Sequence, residues 1–308
     1  MASILSFASH RKNRGDGGVA AFTRGFSIEV MPRTAAKIDR FDAILPAGTR
    51  VYVAHLDGTP FEDMLATAKR ISAEGFEVMP HFPARVIRDQ AELERMIGRY
   101  ADEAGIESAL VLGGGLTTPK GHYDNALQLM DSGLFDRHGY RRIHVAGHPE
   151  GNRDIDTDGG ERVVMEALRL KQAWRDSTDA EMAVVTQFCF EADPVIAWTR
   201  RLAEAGVTLP VHIGLAGPAK LQTLIKFAMA CGVGPSLRVL QRRAADVTKL
   251  LLPFAPDEVI RGLAAERSNN PAFPIAQVHL FPLGGIKASA DWARELDAGA
   301  ARAATARS

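Results

Sequence analysis

Phe26-Ser-Ile-Glu-Val-Met-Pro32 sets a single carboxylate, Glu29, in an otherwise apolar, strand-forming run. Carboxylates are rarely buried unless they are paired or used, and a proline cannot continue a central strand because it lacks the amide donor. The stretch therefore reads as a short strand stopping near Pro32, with Glu29 facing a cavity at its C-terminal end. A half-buried strand that turns Glu29 to solvent satisfies the same seven residues. The number of similar strands downstream decides between the two.

Outward from there, residues 34–44 carry an amphipathic pattern, and Arg50 to His55 form a second strand that ends on a histidine. A helix over Phe61 to Ala73 stops at Gly75, and a third strand, Phe76 to Pro80, is trailed by His81. A helix from Gln90 to Ala104 precedes strand four, which begins at Ser108 and runs into Gly113-Gly114-Gly115. A short helix at Ala126 to Met130 leads to strand five, Arg142 to Ala146, followed by Gly147-His148-Pro149-Glu150-Gly151-Asn152. The remaining expectations are a helix at Gly160 to Arg175, strand six at Met182 to Gln187, a helix at Asp193 to Ala205 and strand seven at Pro210 to Gly214. Helices at Pro218 to Ala230, Ser236 to Leu251 and Pro256 to Ala265 then lead to strand eight, Gln277 to Phe281. Eight short strands alternating with helices predict an α/β chain folded as a single-domain (β/α)8 TIM barrel over residues 25–297. An open doubly wound sheet would carry a glycine-rich turn after strand one, where Pro32-Arg33-Thr34 stands instead. Residues 1–24 read as a flexible arm and 298–308 as a frayed tail.

Composition narrows the function classes. The chain has 308 residues, 46% of them apolar, with 37 basic and 37 acidic side chains. Balanced charge without like-charge runs argues against a nucleic-acid or membrane surface and favours a small neutral or zwitterionic partner. Cys189 and Cys231 both lie in apolar stretches and read as reduced packing thiols, which suits a cytoplasmic protein.

In a barrel, Glu29, His55, His81, Gly113 to Gly115, His148, Gln187 and Phe281 converge at the C-terminal ends of the strands, the face where such folds work. Each has a plain alternative. The histidines lack the i, i+4 pairing of a metal site. The glycines suit a phosphate cradle or a tight turn. Gln187 offers both donor and acceptor to a heterocycle, or satisfies neighbouring backbone. Phe227, inside a helix, is either core or substrate wall.

The ordered set of strand ends resembles the methylenetetrahydrofolate reductase family, a flavin-dependent (β/α)8 barrel. The resemblance rests on Ser27-Ile-Glu-Val-Met-Pro32 against the family's Ser-Phe-Glu-Phe-Phe-Pro, Pro80-His81, Val145-Ala-Gly-His-Pro-Glu150, Val185-Thr-Gln-Phe-Cys-Phe190 and Lys226-Phe227. It implies an FAD-dependent oxidoreductase interconverting 5,10-methylenetetrahydrofolate and 5-methyltetrahydrofolate, with Glu29 as the general acid toward folate N10. It further implies FAD contacts at His55, His81, Gly113, Gly114, Gly115, Tyr123, Ala146, His148 and Asn152, and a substrate site at Gln187, Phe227 and Phe281.

The departures are specific. The family's Leu-Arg-Gly-Asp after strand four is Leu112-Gly-Gly-Gly115 here, its Thr-Tyr after strand two is Ala54-His55, and its Leu-Asn-Arg after strand eight is Leu283-Gly-Gly285. These losses fall around the shared nicotinamide and folate site, so the chain is expected to use NAD(P)H poorly and to exchange electrons with another partner. A flavin-free barrel lyase with Glu29 as base, and a non-catalytic flavin or folate binding module, are the competing readings.

Overall fold

The computed structural model describes residues 18–20, 22–231, 240–241 and 254–305, with side chains through 298. Eight parallel strands close into one barrel in chain order. They are β1 (Ser27–Val30), β2 (Arg50–Val53), β3 (Glu77–Pro83), β4 (Ser108–Leu112), β5 (Arg142–Gly147), β6 (Glu181–Cys189), β7 (Val211–Ala216) and β8 (Ile275–Phe281). The ring closes where Ser27 and Ile28 of β1 register with His279 and Leu280 of β8. The helices described around it are α1 (Pro32–Ala35), α2 (Phe61–Ala73), α3 (Gln90–Ala104), α4 (Ala126–Met130), α5 (Leu134–Arg137), α6 (Arg162–Trp174), α7 (Ala192–Glu204), α8 (Leu221–Ala230), α9 (Asp257–Asn269) and α10 (Ile286–Thr305).

The outer ring follows from apolar stripes. On α2 the buried residues are Met64, Leu65, Ala68 and Ile71, and on α3 they include Leu93, Met96, Ile97 and Tyr100, the i, i+3, i+4, i+7 pattern of a helix lying on a sheet. Asp89 starts α3 by accepting a hydrogen bond from the Glu92 amide at 2.8 Å, and Gly105 ends it at φ 63. Asp89→Ala should therefore lower stability by about 1 kcal/mol in urea unfolding and leave any ligand affinity unchanged, since the cap lies outside the barrel.

Several boundaries differ from expectation. The third strand continues through His81 to Pro83, so His81 is held by the sheet, with Cα register to Leu110. Strand four, as expected, stops at Leu112 where the glycine loop begins. Of residues 34–44 only Thr34 and Ala35 are helical, as the end of α1, and turns follow, because Asp39, Arg40 and Asp42 interrupt the apolar pattern. The supposed arm is structured from residue 18, where helical residues bury Val19, Ala20 and Phe22 and stack Phe22 beneath the Arg267 guanidinium, 4.8 Å from the ring centroid. At the other end α10 is helical to Thr305, past the expected boundary. The expected helix at Ser236 to Leu251 lies, apart from 240–241, outside the described residues. Cys189 is buried as expected, but Cys231 is exposed, because α8 ends at Ala230.

The lumen of the barrel is divided. Tyr52, Met79, Leu110 and Val185, with Leu112 against them, form a compact interior cluster from β2, β3, β4 and β6. Ser27, His144, His212 and His279, all buried, come from β1, β5, β7 and β8. One side is apolar and the other is polar. This departs from the all-apolar layers that usually fill such a barrel.

Candidate functional site

Glu29 stands on β1 in register with Tyr52 of β2, and its carboxyl is only about one-fifth exposed. Its Oε2 lies 3.4 Å from His81 Nε2 and 3.9 Å from His279 Nε2. Neither of these buried nitrogens has a hydrogen-bond partner among the described residues. Burial raises the Glu29 pKa above the ordinary carboxylate range, with the nearby His81 pulling weakly the other way. Burial likewise holds His81 down to about 4 and His279 down to about 3. The group is therefore a carboxyl whose acid form is favoured by burial, set between two neutral imidazoles. Ser27 Oγ, two residues before Glu29 on the same face of β1, hydrogen-bonds His279 Nδ1 at 2.9 Å and fixes the ring with its Nε2 toward the acid.

Below this layer Tyr52 OH and His144 Nδ1 share a hydrogen bond of 2.6 Å, and the His144 and His212 rings meet edge to face at 4.8 Å. The Tyr52 ring packs 4.5 Å from that of His279. None of Tyr52, His144, His212 or His279 was marked by the sequence. The usable signal was a histidine in the middle of each of three apolar strands.

The other expected residues are placed as follows. His55 is buried after β2, its Nε2 3.3 Å from the Thr59 carbonyl and its Nδ1 without a partner among the described residues. Gly114 has φ +91, a conformation that side-chain-bearing residues rarely adopt, so the turn reading explains it. Gly113 and Gly115 have open space where a side chain would start, the nearest atom to a Gly113 Cβ being Asp124 O at 3.9 Å. Arg85, from the end of β3, straps this loop by donating to the Leu116 carbonyl at 3.0 Å and to Asp124 Oδ1 at 3.0 Å. Tyr123 lies in the same loop, its ring packed against the main core and its hydroxyl pKa raised by burial and by Asp89. It is not part of the Glu29 cluster.

His148, Asn152, Gln187, Cys189 and Cys231 line one small cavity beyond β5 and β6. Burial takes His148 down to about 4, with the Lys171 ammonium adding to the effect. Lys171 is buried behind β5, donates to the Ala146 carbonyl at 3.3 Å, and is itself lowered to about 8 by burial. Asn152 Oδ1 accepts from the Asp154 amide, so that side chain shapes its own turn. Gln187 sits at a bulge where β6 shifts register against β7, and its Oε1 accepts from the Phe188 amide at 3.2 Å. Gly214 faces the bulge: its amide donates to Thr186 Oγ1, and a Cβ there would fall 2.4 Å from the Thr186 carbonyl. Phe281 and Phe227 pack against Phe188, Phe190 and Phe254, an aromatic wall over strands six to eight, with the Phe281 ring 4.9 Å from that of His279. The structure thus gathers Glu29, His81 and Phe281 around His279, and His148, Asn152 and Gln187 around a neighbouring cavity. No cluster of metal-ligating side chains occurs among the described residues, and no described helix is long and apolar enough to cross a membrane.

No protein-family model matches the chain. Among solved structures it is similar to a Clostridium thermocellum protein that binds two copies of 5-methyl-5,6,7,8-tetrahydrofolic acid. That pair is 10% identical, covers 89% of this chain and 94% of that one, and has a TM-score of 0.55. Yersinia pestis DHPS with a pterine-sulfa conjugate is 10% identical over 91% of this chain and 95% of that one at TM-score 0.44. The carboxyl transferase domain of Rhizobium etli pyruvate carboxylase is 10% identical over 94% of this chain and 46% of that one at TM-score 0.42. At such identities the first similarity speaks for the barrel alone, and the other two carry no argument.

Proposed function

We propose that the chain binds a tetrahydrofolate derivative at the C-terminal mouth of the barrel and, with FAD, interconverts 5,10-methylenetetrahydrofolate and 5-methyltetrahydrofolate. The observation that carries this reading is the buried Glu29 carboxyl set between His81 and His279 beside the Phe188, Phe227 and Phe281 wall. A carboxyl whose pKa is raised by burial holds its proton more readily than an ordinary carboxylate and is suited to act as an acid, which favours the reductase chemistry over a lyase with Glu29 as base. In the reducing direction Glu29 gives its proton to folate N10, the N10–CH2 bond opens, and the resulting 5-iminium cation accepts hydride to become the methyl group. In the oxidising direction Glu29 takes the proton back. The tetrahydrofolate-binding Clostridium thermocellum barrel supports the ligand class.

The mouth has features that suit a flavin. The unpartnered His81 Nε2 and His55 Nδ1 are buried polar atoms that a heterocycle edge would satisfy, and the open Gly113 and Gly115 backbone leaves room for a phosphate. His55, His81, the Gly113 to Gly115 loop and His148 would hold FAD, which when bound supplies the hydride chemistry. Ala146, Tyr123 and Asn152 have their polar or ring groups engaged within the protein and would act through shape. The test is the absorption spectrum of the purified protein. Flavin absorbance that bleaches on adding 5-methyltetrahydrofolate is expected, and a colourless protein that takes up no FAD would end the reading. NADH and NADPH should bleach the flavin slowly, because Gly113 to Gly115, Ala54, His55 and Gly285 replace the side chains that the family this chain resembles uses around its shared nicotinamide and folate site. Stopped-flow reduction by NADH as fast as by the folate would contradict that.

A further inference from the structure

Glu29 gives up one proton per reductive turnover, from a mouth that its own substrate and flavin would cover. The lumen beneath it shows where a replacement could come from. Two buried nitrogens on the polar side, His279 Nε2 beside Glu29 and His212 Nδ1 on β7, have no hydrogen-bond partner among the described residues, and beyond them Arg50, two residues before Tyr52 on β2, is ion-paired to Glu77. Buried polar atoms in folded proteins are almost always satisfied, and where no protein group serves, ordered water does.

The far end of this column opens to solvent. Arg50 and Arg142 converge on Glu77, with Arg50 Nε 3.0 Å from Glu77 Oε1, and Arg142 continues to Glu181 at 2.8 Å. Glu77, Ser108, Arg142 and Glu181 line a cleft of about 380 Å³ at the N-terminal ends of the strands, opposite the folate mouth. Between cleft and mouth the Tyr52 hydroxyl meets His144 and His144 meets His212, while Met79, Leu110 and Val185 close the other half of the lumen. The polar groups thus extend through the whole barrel.

We propose that the polar side of the lumen carries a file of ordered water from the N-terminal cleft to Glu29 and returns the proton that Glu29 donates. One proton enters from bulk solvent at the cleft, passes along the water file, and converts the Glu29 carboxylate back to the acid. One proton has left to folate N10, and nothing else is consumed. The inference rests on the reading of Glu29 as the acid toward folate.

Two measurements test it on the full chain. An atomic-resolution crystal structure should show water within about 3.2 Å of His279 Nε2 and His212 Nδ1. Dry surroundings at these atoms overturn the proposal. Second, the infrared C=O band of protonated Glu29, identified by its loss in Glu29→Gln, should exchange to its deuterated position after transfer to D2O with 5-methyltetrahydrofolate saturating the mouth. His212→Leu, which fills the same space without nitrogens, should slow that exchange at least about tenfold. Tyr52→Phe, which removes one hydroxyl and conserves the core, should slow it in the same sense and guards against a misfolded His212 variant. Exchange as fast in both variants as in the parent overturns the water file and leaves the role of Glu29 standing. Failure of 5-methyltetrahydrofolate to bind, or absence of the protonated band at neutral pH, instead overturns the reading on which the file rests.

Discussion

Lowering the pH from 7 toward 4.5 should unfold the barrel cooperatively, with a midpoint near pH 5. Six of the nine histidines, His55, His81, His144, His148, His212 and His279, are held below the ordinary imidazole value chiefly by burial. A depressed histidine has full stability above the unfolded pKa of about 6.5 and loses it as the pH falls toward the folded value, because the unfolded chain binds the proton first. His81 and His148 sit at about 4, His212 and His279 at about 3. Near pH 5 these four are almost fully protonated in the unfolded chain and almost bare in the folded one, a slope of about 5 kcal/mol per pH unit. Glu29 works in the opposite direction, since its raised pKa gives stability that is lost as pH rises through the folded value. It is one group against six.

A typical domain holds about 5–15 kcal/mol, so two pH units on such a slope are enough to unfold it. Urea unfolding followed by circular dichroism between pH 7.5 and 5 reads the slope directly. His212→Leu should reduce it by about 1.4 kcal/mol per pH unit whatever it does to stability at pH 7.5. A urea midpoint unchanged from pH 7 to pH 5 would mean that the lumen histidines are not held neutral by burial.

Glu29→Gln should lower the folate half-reaction by about a hundredfold to ten-thousandfold while the bound flavin stays. The amide keeps the size of the carboxyl and can still hydrogen-bond to His81 or His279, but it cannot deliver a proton near neutral pH. Any slow nicotinamide reduction of the flavin should survive, since Glu29 takes no part in that hydride transfer. Rapid mixing of the reduced protein with 5,10-methylenetetrahydrofolate separates the two halves. Parental folate turnover, or loss of flavin from the variant, would make Glu29 a structural residue.

By itself the sequence determined the barrel and singled out Glu29. Strands of four to nine residues alternating with amphipathic helices leave few other folds, and an isolated glutamate in an apolar strand is legible because a buried charge demands a use. Only the tertiary structure decided what surrounds Glu29. In a closed parallel barrel both faces of every strand are buried, one against the helices and one in the lumen, so a strand reads as a continuous apolar run without the alternation that would show its inner face. Ile143 and His144, Ile213 and His212, and Val278 and His279 are neighbours in sequence but lie on opposite faces, the apolar one against the helices and the histidine in the lumen. Closure of β8 onto β1 places His279 beside Ser27 and Glu29, some 250 residues away along the chain. That pairing is a long-range contact with no local signature, and it is the contact that sets Ser27 and His279 around Glu29.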